Sequence, residues 1–441
     1  MSDSRRLPEV LIIDDSQQRH VYKSGDVALF VLPIGTGQQT GPVAAWATTS
    51  GWARGAEQCL GAAWVVSDDG VFSPTEAAAR VTRSTSSPAR TERRWRQRLP
   101  EPPITFLKDL RQARVGRKMA LGSAGGSWTG RNVAFVWQRH VLWRRDGHKL
   151  SQALDVPLVL SVHAMQVEEA ASWGVQRTGW ARYAERWGEL PQLREADLVA
   201  CVSDTVAASV AKRAVPNSRI LVTPNGVDLE HFRPRPDRAA VRQQLGISGR
   251  FVVGWSGSFR RFHGLELALT AMSRLQESDP DIALLLMGDG QQRAALERRV
   301  RELGLQNVFF TGSVPHNRMP SYLSACDAGL VLSPAKGSFH YSPVKLREYM
   351  ACGLPVVAHA VGELNQALRH GTDALLVPPG EVVALADGLR LLNSEPQLRE
   401  GLGRRGMALA SQRWSWSVQV ERVLRTLNAQ SHKRGLRGPR K

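Results

Sequence analysis

The chain has 441 residues, 42% of them hydrophobic and 22% charged, which is the composition of a folded globular protein with room for two or three domains. Its net charge of +18 is concentrated, because residues 80–149 hold 17 basic and 4 acidic side chains and residues 433–441 hold five basic ones. Apolar runs such as 282–287 are far shorter than the ~20 residues that cross a bilayer, and four scattered cysteines exclude a disulfide framework or zinc motif.

The first half of the chain predicts a strand, an alanine-rich helix and a second strand, followed by an exposed loop at residues 82–98. From residue 133 onward, short apolar runs alternate with amphipathic stretches, and a long helical region ends near residue 193. The predicted strands of this half are 27–34, 63–66, 133–137, 157–162, 197–202 and 220–223. Such alternation is typical of a parallel sheet that is wrapped by helices.

A proline-punctuated stretch at residues 231–237 predicts a linker, after which the alternation restarts. The predicted strands of the second half are 251–255, 282–287, 308–311, 328–332, 355–358 and 374–377. The sequence therefore predicts an α/β protein with two doubly wound, Rossmann-like domains that face a central cleft.

The most informative segment is residues 337–358, GSFHYSPVKLREYMACGLPVVA. Ser342 is predicted to cap a helix whose first residue is Pro343, directly after a strand end. The exposed backbone N–H groups at such a helix start suit a phosphate. Lys345 and Glu348 lie three residues apart on one face, so a cation and a hydroxyl-accepting carboxylate adjoin one another, as a nucleotide site requires. The alternative is a surface Lys–Glu pair on an ordinary crossover helix.

The chain from about residue 133 to 416 resembles the retaining glycosyltransferases of family 4, also called group 1, which have the two-domain GT-B fold. The motifs that carry the resemblance are TPNGVD (223–228), GSFRRFHG (257–264), LLMGDG (285–290), SACDAGLVLSP (324–334) and SPVKLREYMACGLPVVA (342–358). The resemblance implies transfer of a sugar from a nucleoside-diphosphate donor to an acceptor hydroxyl.

The resemblance also implies roles for individual residues of the donor site. Glu348 matches the glutamate that binds the ribose, and His340 stands where the family has a glutamate on the donor sugar. Two further departures occur at Ser258 and His263, where family members usually carry an arginine and a lysine that hold the diphosphate.

Replacement charge for the diphosphate is predicted from Arg260, Arg261 and Lys345. Fixed cations at a leaving diphosphate stabilise the transition state more than the ground state. The alternative for the two arginines is a solvated pair on a loop. The predicted backbone contacts to the donor come from Gly257, Gly288, Ser342 and Val344.

In the first half, His163 follows a predicted strand, and the resemblance places it, with His340, near the donor sugar as a catalytic residue; the alternative is a structural histidine. Asp279 and Asp281 form a D-x-D at the amino edge of a strand, where a turn explains them better than a metal site. No metal or cofactor is expected, because GT-B enzymes generally use side-chain cations and helix dipoles.

The predicted organisation is an acceptor-side domain at residues 1–229 and a nucleotide-sugar domain at 230–411. Residues 412–430 are predicted to form a helix that packs back on the first domain, and residues 431–441 a basic disordered tail.

We expect a glycan, glycolipid or small-molecule acceptor and a cytoplasmic enzyme, since the amino end is acidic where a signal peptide is apolar. The basic segment predicts peripheral contact with an anionic inner membrane face, and a nucleic-acid partner is not expected. The alternatives are a non-catalytic GT-B protein that binds nucleic acid or membrane through that segment, and a sugar-nucleotide epimerase.

Overall fold

The computed structural model describes residues 22–33, 43–85, 101–115, 128–172, 175, 177–333 and 342–435. These residues form two sheets with helices on both faces, one of seven strands and one of six. The predicted fold class, two doubly wound α/β units, is confirmed.

The seven-stranded sheet has the order β3-β2-β1-β4-β5-β6-β7, and all its neighbours are parallel except β3, which runs antiparallel to β2. Its strands are β1 (Val27–Leu32), β2 (Ala62–Ser67), β3 (Gly70–Phe72), β4 (Val133–Arg139), β5 (Leu158–Val162), β6 (Leu198–Cys201) and β7 (Ile220–Val222). Its helices are α1 (Val43–Leu60), α2 (Pro74–Thr85), α3 (Glu101–Val115), α4 (Asp146–Leu154), α5 (Gln166–Ser172), α6 (Ala181–Tyr183), α7 (Leu190–Glu195) and α8 (Asp204–Ala211).

The six-stranded sheet is parallel, with the order β10-β9-β8-β11-β12-β13. Its strands are β8 (Phe251–Ser256), β9 (Ile282–Met287), β10 (Val308–Gly312), β11 (Ala328–Val331), β12 (Val356–His359) and β13 (Leu375–Val377). Its helices are α9 (Arg238–Leu245), α10 (Leu265–Ser278), α11 (Arg293–Glu302), α12 (Met319–Ser324), α13 (Val344–Ala351), α14 (Gly362–Ala367), α15 (Val382–Ser394) and α16 (Pro396–Arg413); the last helix of the chain is α17 (Trp416–Gly435).

In each sheet the order in which successive strands are added reverses once. In the first sheet β4 is added on the other side of β1 from β2, and in the second sheet β11 is added on the other side of β8 from β9. In open parallel sheets, ligands bind outside the carboxyl ends of the strands at such a switch point. The central strands β1, β8 and β9 are buried along their whole length, because helices cover both faces. Sequence and topology thus direct attention to the residues that follow β4, β8 and β11.

The end of the chain links the two halves. Trp414 belongs to the core of the six-stranded half, whereas Trp416 packs in the core of the seven-stranded half beside α1. Backbone hydrogen bonds join Val227 to both tryptophans, at 2.7 Å to Trp414 O and 3.4 Å from Trp416 N. Gly226 leaves room for the Trp416 ring, which would lie 2.6 Å from a Cβ at that position, and Gly51 of α1 does the same from the other side.

The structure differs from the sequence-based expectation at several places. Strand β3 was not predicted, and residues 82–85 of the predicted loop form the end of α2, while residues 86–98 lie outside the described residues. Helix α3 was not predicted because Pro102 and Pro103 interrupt its sequence, but both stand in the first turn, where proline is tolerated. The predicted long helical region is broken into α5, α6 and α7, with a π-helical stretch at Ala184–Glu189. Helix α17 continues to Gly435, so residues 431–435 of the predicted tail are helical; residues 436–441 lie outside the described residues.

The predicted domain boundaries after residues 229 and 411 stay a prediction. None of the helices in the described ranges combines the length and the hydropathy that a bilayer crossing requires.

Candidate active site

Two glycine-bearing loops touch at the carboxyl ends of β8 and β9. Gly257, Gly288 and Gly290 have φ values of 140°, 155° and 153°, a region that residues with a Cβ rarely adopt. A Cβ at Gly288 would overlap the carbonyl oxygen of Gly257, and one at Gly290 would lie 2.8 Å from Phe259 N. The loops are tied by hydrogen bonds from Gly257 N to Met287 O (3.0 Å) and from Phe259 N to the Asp289 carbonyl (2.9 Å). The glycines therefore allow two backbones to pack directly on each other.

Lys345, in the first turn of α13, points its ammonium group into this loop region. Its Nζ lies 3.8 Å from the centroid of the Trp255 ring, and a Cβ at Gly257 would come within 3.1 Å of it. Lys345 Nζ is enclosed and has no hydrogen-bond partner among the residues that the structure describes. Burial lowers the pKa of Lys345, and the nearby Glu348 carboxylate opposes part of that shift. A buried cation without a partner is costly, so this atom is suited to an anionic ligand.

Glu348 lies one turn further along α13 and is half-buried. Burial raises the pKa of its carboxyl group, and the Lys345 ammonium opposes the shift. The spacing of three residues puts both groups on one side of the helix, as the sequence predicted. The two charges are thus set side by side at the edge of the sheet.

The beginning of α13 corrects one local prediction. The helix is preceded by Pro343 as the N-cap residue, with no side-chain capping bond, and its first helical residue is Val344. Ser342 does not cap it, because its Oγ accepts a hydrogen bond from Asn225 N (3.2 Å) and its carbonyl oxygen accepts one from Asn225 Nδ2 (2.8 Å). This serine is used to hold the segment after β7 against the start of α13.

Two buried side chains of α13 fix its position. The Tyr349 hydroxyl accepts a hydrogen bond from Ser256 N at 2.7 Å and lies 3.0 Å from Ser256 Oγ, which ties the helix to the last residue of β8. Arg347 is fully buried, pairs with Glu363 and donates to the Pro343 carbonyl at 3.0 Å. Lys345 and Glu348 are therefore presented by a helix that is anchored on both sides.

The loop after β8 carries the other predicted cations. Arg260 and Arg261 are exposed, and Ser258 is exposed beside them. His263 is buried against Trp255, with ring centroids 5.2 Å apart. Burial, with Lys345 and Arg260 as the nearby cations, lowers the pKa of His263 to about 2. His263 is consequently a neutral, buried residue that lies near both Lys345 and Arg260.

In the seven-stranded half, His163 directly follows β5 and meets the end of β4. Arg139 Nη1 lies 3.0 Å from His163 Nε2 and also donates to Thr48 Oγ1 of α1 at 2.9 Å. Burial, then Arg139 and His140, lowers the pKa of His163 well below its usual value. A guanidinium always donates, so His163 Nε2 accepts, and the proton of the neutral ring resides on Nδ1.

A second buried cluster adjoins His163. His140 Nε2 lies 3.8 Å from Glu189 Oε1, and Gln166 N donates to that same carboxylate oxygen at 2.6 Å. Burial lowers the pKa of His140 to about 4 and raises that of Glu189 to about 7. The sequence analysis missed Arg139, His140 and Glu189. The available signal was the polar run of Gln138, Arg139 and His140 directly after the apolar stretch VAFVW.

The structure thus brings together Lys345, Glu348 and Gly257 in one half and His163 with Arg139 in the other. His340 lies outside the described residues. Among the described residues no group of three or more His, Cys, Asp or Glu side chains is arranged to hold a metal ion. Asp279 forms the predicted turn, since its carbonyl accepts from Ile282 N at 3.0 Å and its carboxylate accepts from Arg390 Nε at 3.0 Å.

Two family models match the chain. The model described as "Glycosyl transferases group 1" matches residues 237–408, and that described as "Glycosyltransferase Family 4" matches residues 74–231. The two matched ranges include the six-stranded sheet and most of the seven-stranded sheet, respectively.

Similar proteins include two curated enzymes and one solved structure. The GDP-mannose-dependent alpha-(1-6)-phosphatidylinositol monomannoside mannosyltransferase of Mycolicibacterium smegmatis is 26% identical over 56% of this chain and 68% of its own length. D-inositol 3-phosphate glycosyltransferase 1 of Catenulispora acidiphila is 31% identical over 66% of this chain and 70% of its own. HepE from Anabaena, crystallised with UDP-glucose, is 21% identical and superposes with a TM-score of 0.61 over 91% of this chain and 99% of its own.

Proposed function

The chain belongs to the group 1, family 4 glycosyltransferases, and we propose that it transfers a sugar from a nucleoside-diphosphate sugar to an acceptor hydroxyl, with retention of configuration and without a metal ion. The observation that carries the proposal is the enclosed Lys345 ammonium beside Glu348, at the switch point of the six-stranded sheet, for which the described part of the chain provides no hydrogen-bond acceptor.

The donor diphosphate is assigned to Lys345 and the start of α13. A diphosphate would supply the hydrogen-bond acceptors that Lys345 Nζ lacks, and the helix N-terminus adds backbone donors. Glu348, one turn away, is placed to accept hydrogen bonds from ribose hydroxyls. The backbone of Gly257 and Gly288 closes the same region. HepE, which has this fold, was crystallised with UDP-glucose, and this supports a nucleotide-sugar donor.

The positive charge that stabilises the departing diphosphate has to come from groups other than His263. Because burial holds the pKa of His263 at about 2, that ring is neutral at physiological pH. Lys345, with the exposed Arg260 and Arg261 of the adjoining loop, is therefore proposed to stabilise the leaving group.

In the proposed reaction the bond between the anomeric carbon and the diphosphate oxygen breaks while the acceptor oxygen bonds to the same face of that carbon. The acceptor proton passes to the departing diphosphate oxygen, so the products are a glycoside and a nucleoside diphosphate. His163, held neutral with its proton on Nδ1, is proposed to contact the sugar, and the seven-stranded half is proposed to bind the acceptor. His340 is proposed to contact the donor sugar.

The acceptor is proposed to be a hydroxyl of a glycan or lipid-linked molecule. Two observations support this: one similar enzyme is named for a phosphatidylinositol mannoside, and the basic charge of the chain is concentrated in the acceptor half. A peripheral position on an anionic membrane face follows from the same charge.

The donor assignment is tested with Lys345→Ala and Glu348→Gln, with Arg298→Ala as the control because it removes an exposed cation of α11. Binding of UDP, UDP-glucose and GDP-mannose is measured by calorimetry, and donor hydrolysis and transfer are measured by product analysis. Since one charge-assisted hydrogen bond contributes ~1.5–3 kcal/mol, each site variant should weaken nucleotide binding by roughly ten- to a hundredfold. Unaltered binding in both site variants would exclude the assignment.

Two further measurements test the chemistry. Transfer should persist in excess chelator, and complete loss there would contradict a metal-independent reaction. The anomeric configuration of the product, read by NMR, should match that of the donor; the opposite configuration would contradict retention.

A further inference from the structure

Large hydrophobic side chains are exposed together on two helical segments of the seven-stranded half. Leu107 of α3 is 62% exposed, while Tyr183 and Trp187, at the end of α6 and in the π-helical stretch, are 64% and 61% exposed. Phe106 and Leu110 of α3 are also exposed. We propose that this aromatic patch, formed by Phe106, Leu107, Leu110, Tyr183 and Trp187, docks the protein on an anionic lipid bilayer.

The two segments are held together as one surface. The Phe106 ring packs edge-on against Trp180, with centroids 5.4 Å apart. Asp109, buried on the inner side of α3, accepts hydrogen bonds from Arg177 Nε at 2.8 Å and from Trp180 Nε1 at 3.0 Å. Through these contacts Trp180 holds α3 against the start of the segment that bears Tyr183 and Trp187.

The charge around the aromatic patch is positive. The exposed cations on these segments are Lys108, Arg111, Arg182 and Arg186. Their acidic neighbours are already paired, because Asp109 binds Arg177 and Glu185 binds Arg213 Nε at 2.8 Å. Among the side chains that the structure describes, these cations are therefore available to a partner, and an anionic membrane surface attracts them.

The mixture of side chains favours lipid over nucleic acid or protein. Tryptophan and tyrosine partition to the bilayer interface, and the Arg186 guanidinium lies 5.5 Å from the Trp187 ring, so that a cation and an aromatic ring adjoin. Leu107 and Leu110 are aliphatic and have no π-face on which a base would stack, but they fit hydrocarbon. Cations on both segments match lipid phosphates.

The position of the aromatic patch connects membrane docking to the proposed sugar transfer, and this step rests on the proposed function. Gly188, next to Trp187, accepts a hydrogen bond from Trp143 N at 3.0 Å. Trp143 belongs to the loop after β4, and β4 ends at Arg139 beside His163. Docking through the aromatic patch would bring the acceptor half to the bilayer, where a lipid-linked hydroxyl lies.

The test is co-sedimentation of the full chain with vesicles of phosphatidylcholine alone and of phosphatidylcholine with phosphatidylglycerol. We expect preferential binding to the phosphatidylglycerol vesicles. Leu107→Ser with Trp187→Ser should reduce that binding at least about tenfold, and Lys108→Glu with Arg182→Glu should reduce it further and remove the lipid preference. Val383→Ser with Leu391→Ser, on the exposed face of α15, is the matched control and should bind as the wild type does.

Donor hydrolysis in solution separates this proposal from the proposed function, because the patch variants should keep it unchanged. Wild-type protein that ignores both vesicles, or a control variant that loses as much binding as the patch variants, would overturn membrane docking. A patch variant that changes the oligomeric state by sedimentation velocity, with vesicle binding intact, would instead show a contact between two copies. Loss of binding to an RNA oligonucleotide in the patch variants, with vesicle binding intact, would assign the patch to nucleic acid and overturn membrane docking.

Discussion

The two loops of the six-stranded site pack backbone against backbone, whereas the residues around His163 in the seven-stranded half are joined by buried side-chain hydrogen bonds. Gly257, Gly288 and Gly290 let two loops touch, and no described residue accepts a hydrogen bond from the Lys345 ammonium beside them. In the other half, Arg139 is already bonded to His163 and Thr48. Among the described residues, the first half thus presents an enclosed cation without a hydrogen-bond acceptor, and the second presents a bonded chain of Thr48, Arg139 and His163.

This difference teaches how each half should respond to substitution. A site made of backbone contacts is sensitive to any added atom, because the backbone cannot move aside as a side chain can. A side-chain network loses its function in steps, according to which hydrogen bond is removed. Substitutions in the two halves test this contrast.

The largest effect is expected from Gly288→Ala. The added methyl would overlap the Gly257 carbonyl, and the φ of 155° at Gly288 is one that alanine rarely adopts. We therefore expect the free energy of unfolding to fall by roughly 3 kcal/mol or more and donor binding to be lost. Gly304→Ala is the control, since its φ is 62° and nothing lies near its Cβ; it should cost about 1 kcal/mol. Both free energies of unfolding are measured by chemical denaturation. If the two variants lost similar amounts, the contact between the Gly288 and Gly257 backbones would not be the cause.

The next effect concerns Arg139, which contacts His163 and would act on the proposed reaction through it. Arg139→Gln should lower the transfer rate by roughly ten- to a hundredfold, with little change in the donor KM. Because the Arg139 cation contributes to lowering the pKa of His163, the same variant should raise that pKa, as followed by NMR titration. Arg139→Lys should recover part of the rate. An unaltered His163 titration would show that Arg139 has only a structural role.

A smaller effect is expected from Tyr349→Phe, which leaves the Ser256 N–H without its acceptor. The loss in unfolding free energy should be about 1–3 kcal/mol, with weaker donor binding because the end of β8 is released. Ser256→Ala removes only the hydroxyl and keeps the backbone bond, so it should cost less. If Ser256→Ala were the more damaging, the tyrosine would not be what links α13 to β8.

The smallest effect is a pH dependence of stability that arises from His263. Its pKa is about 2 in the folded chain and 6.5 when unfolded, so the unfolded state binds the extra proton between these values. The stabilising contribution is complete above pH 6.5 and is lost as the pH falls, by up to about 1.4 kcal/mol per pH unit. His263→Phe should flatten this part of the profile in denaturant titrations at pH 7 and 5; an unchanged slope would contradict the buried neutral ring.

The parallel sheets were predictable because each strand is a short apolar run that local sequence reveals. Lys345 and Glu348 were predictable for the same reason, since three residues on one helix fix their relation. Arg139 and His163 were not paired from sequence, because they are 24 residues apart and meet only when β4 and β5 align. Its neighbours in sequence predicted Ser342 as a helix cap, but its hydroxyl accepts a hydrogen bond from Asn225 N, 117 residues away.

The position of α17 has a consequence for biosynthesis. Trp416, Val420, Val423 and Leu427 of this helix complete the core that α1 and the first strands begin. A ribosome makes those early elements long before it makes α17, so this hydrophobic face of the seven-stranded half stays uncovered until α17 has been synthesised. The helices of the six-stranded half lie between these elements in the sequence and are synthesised before α17. The half whose strands are synthesised first is therefore the last whose hydrophobic core can be completed.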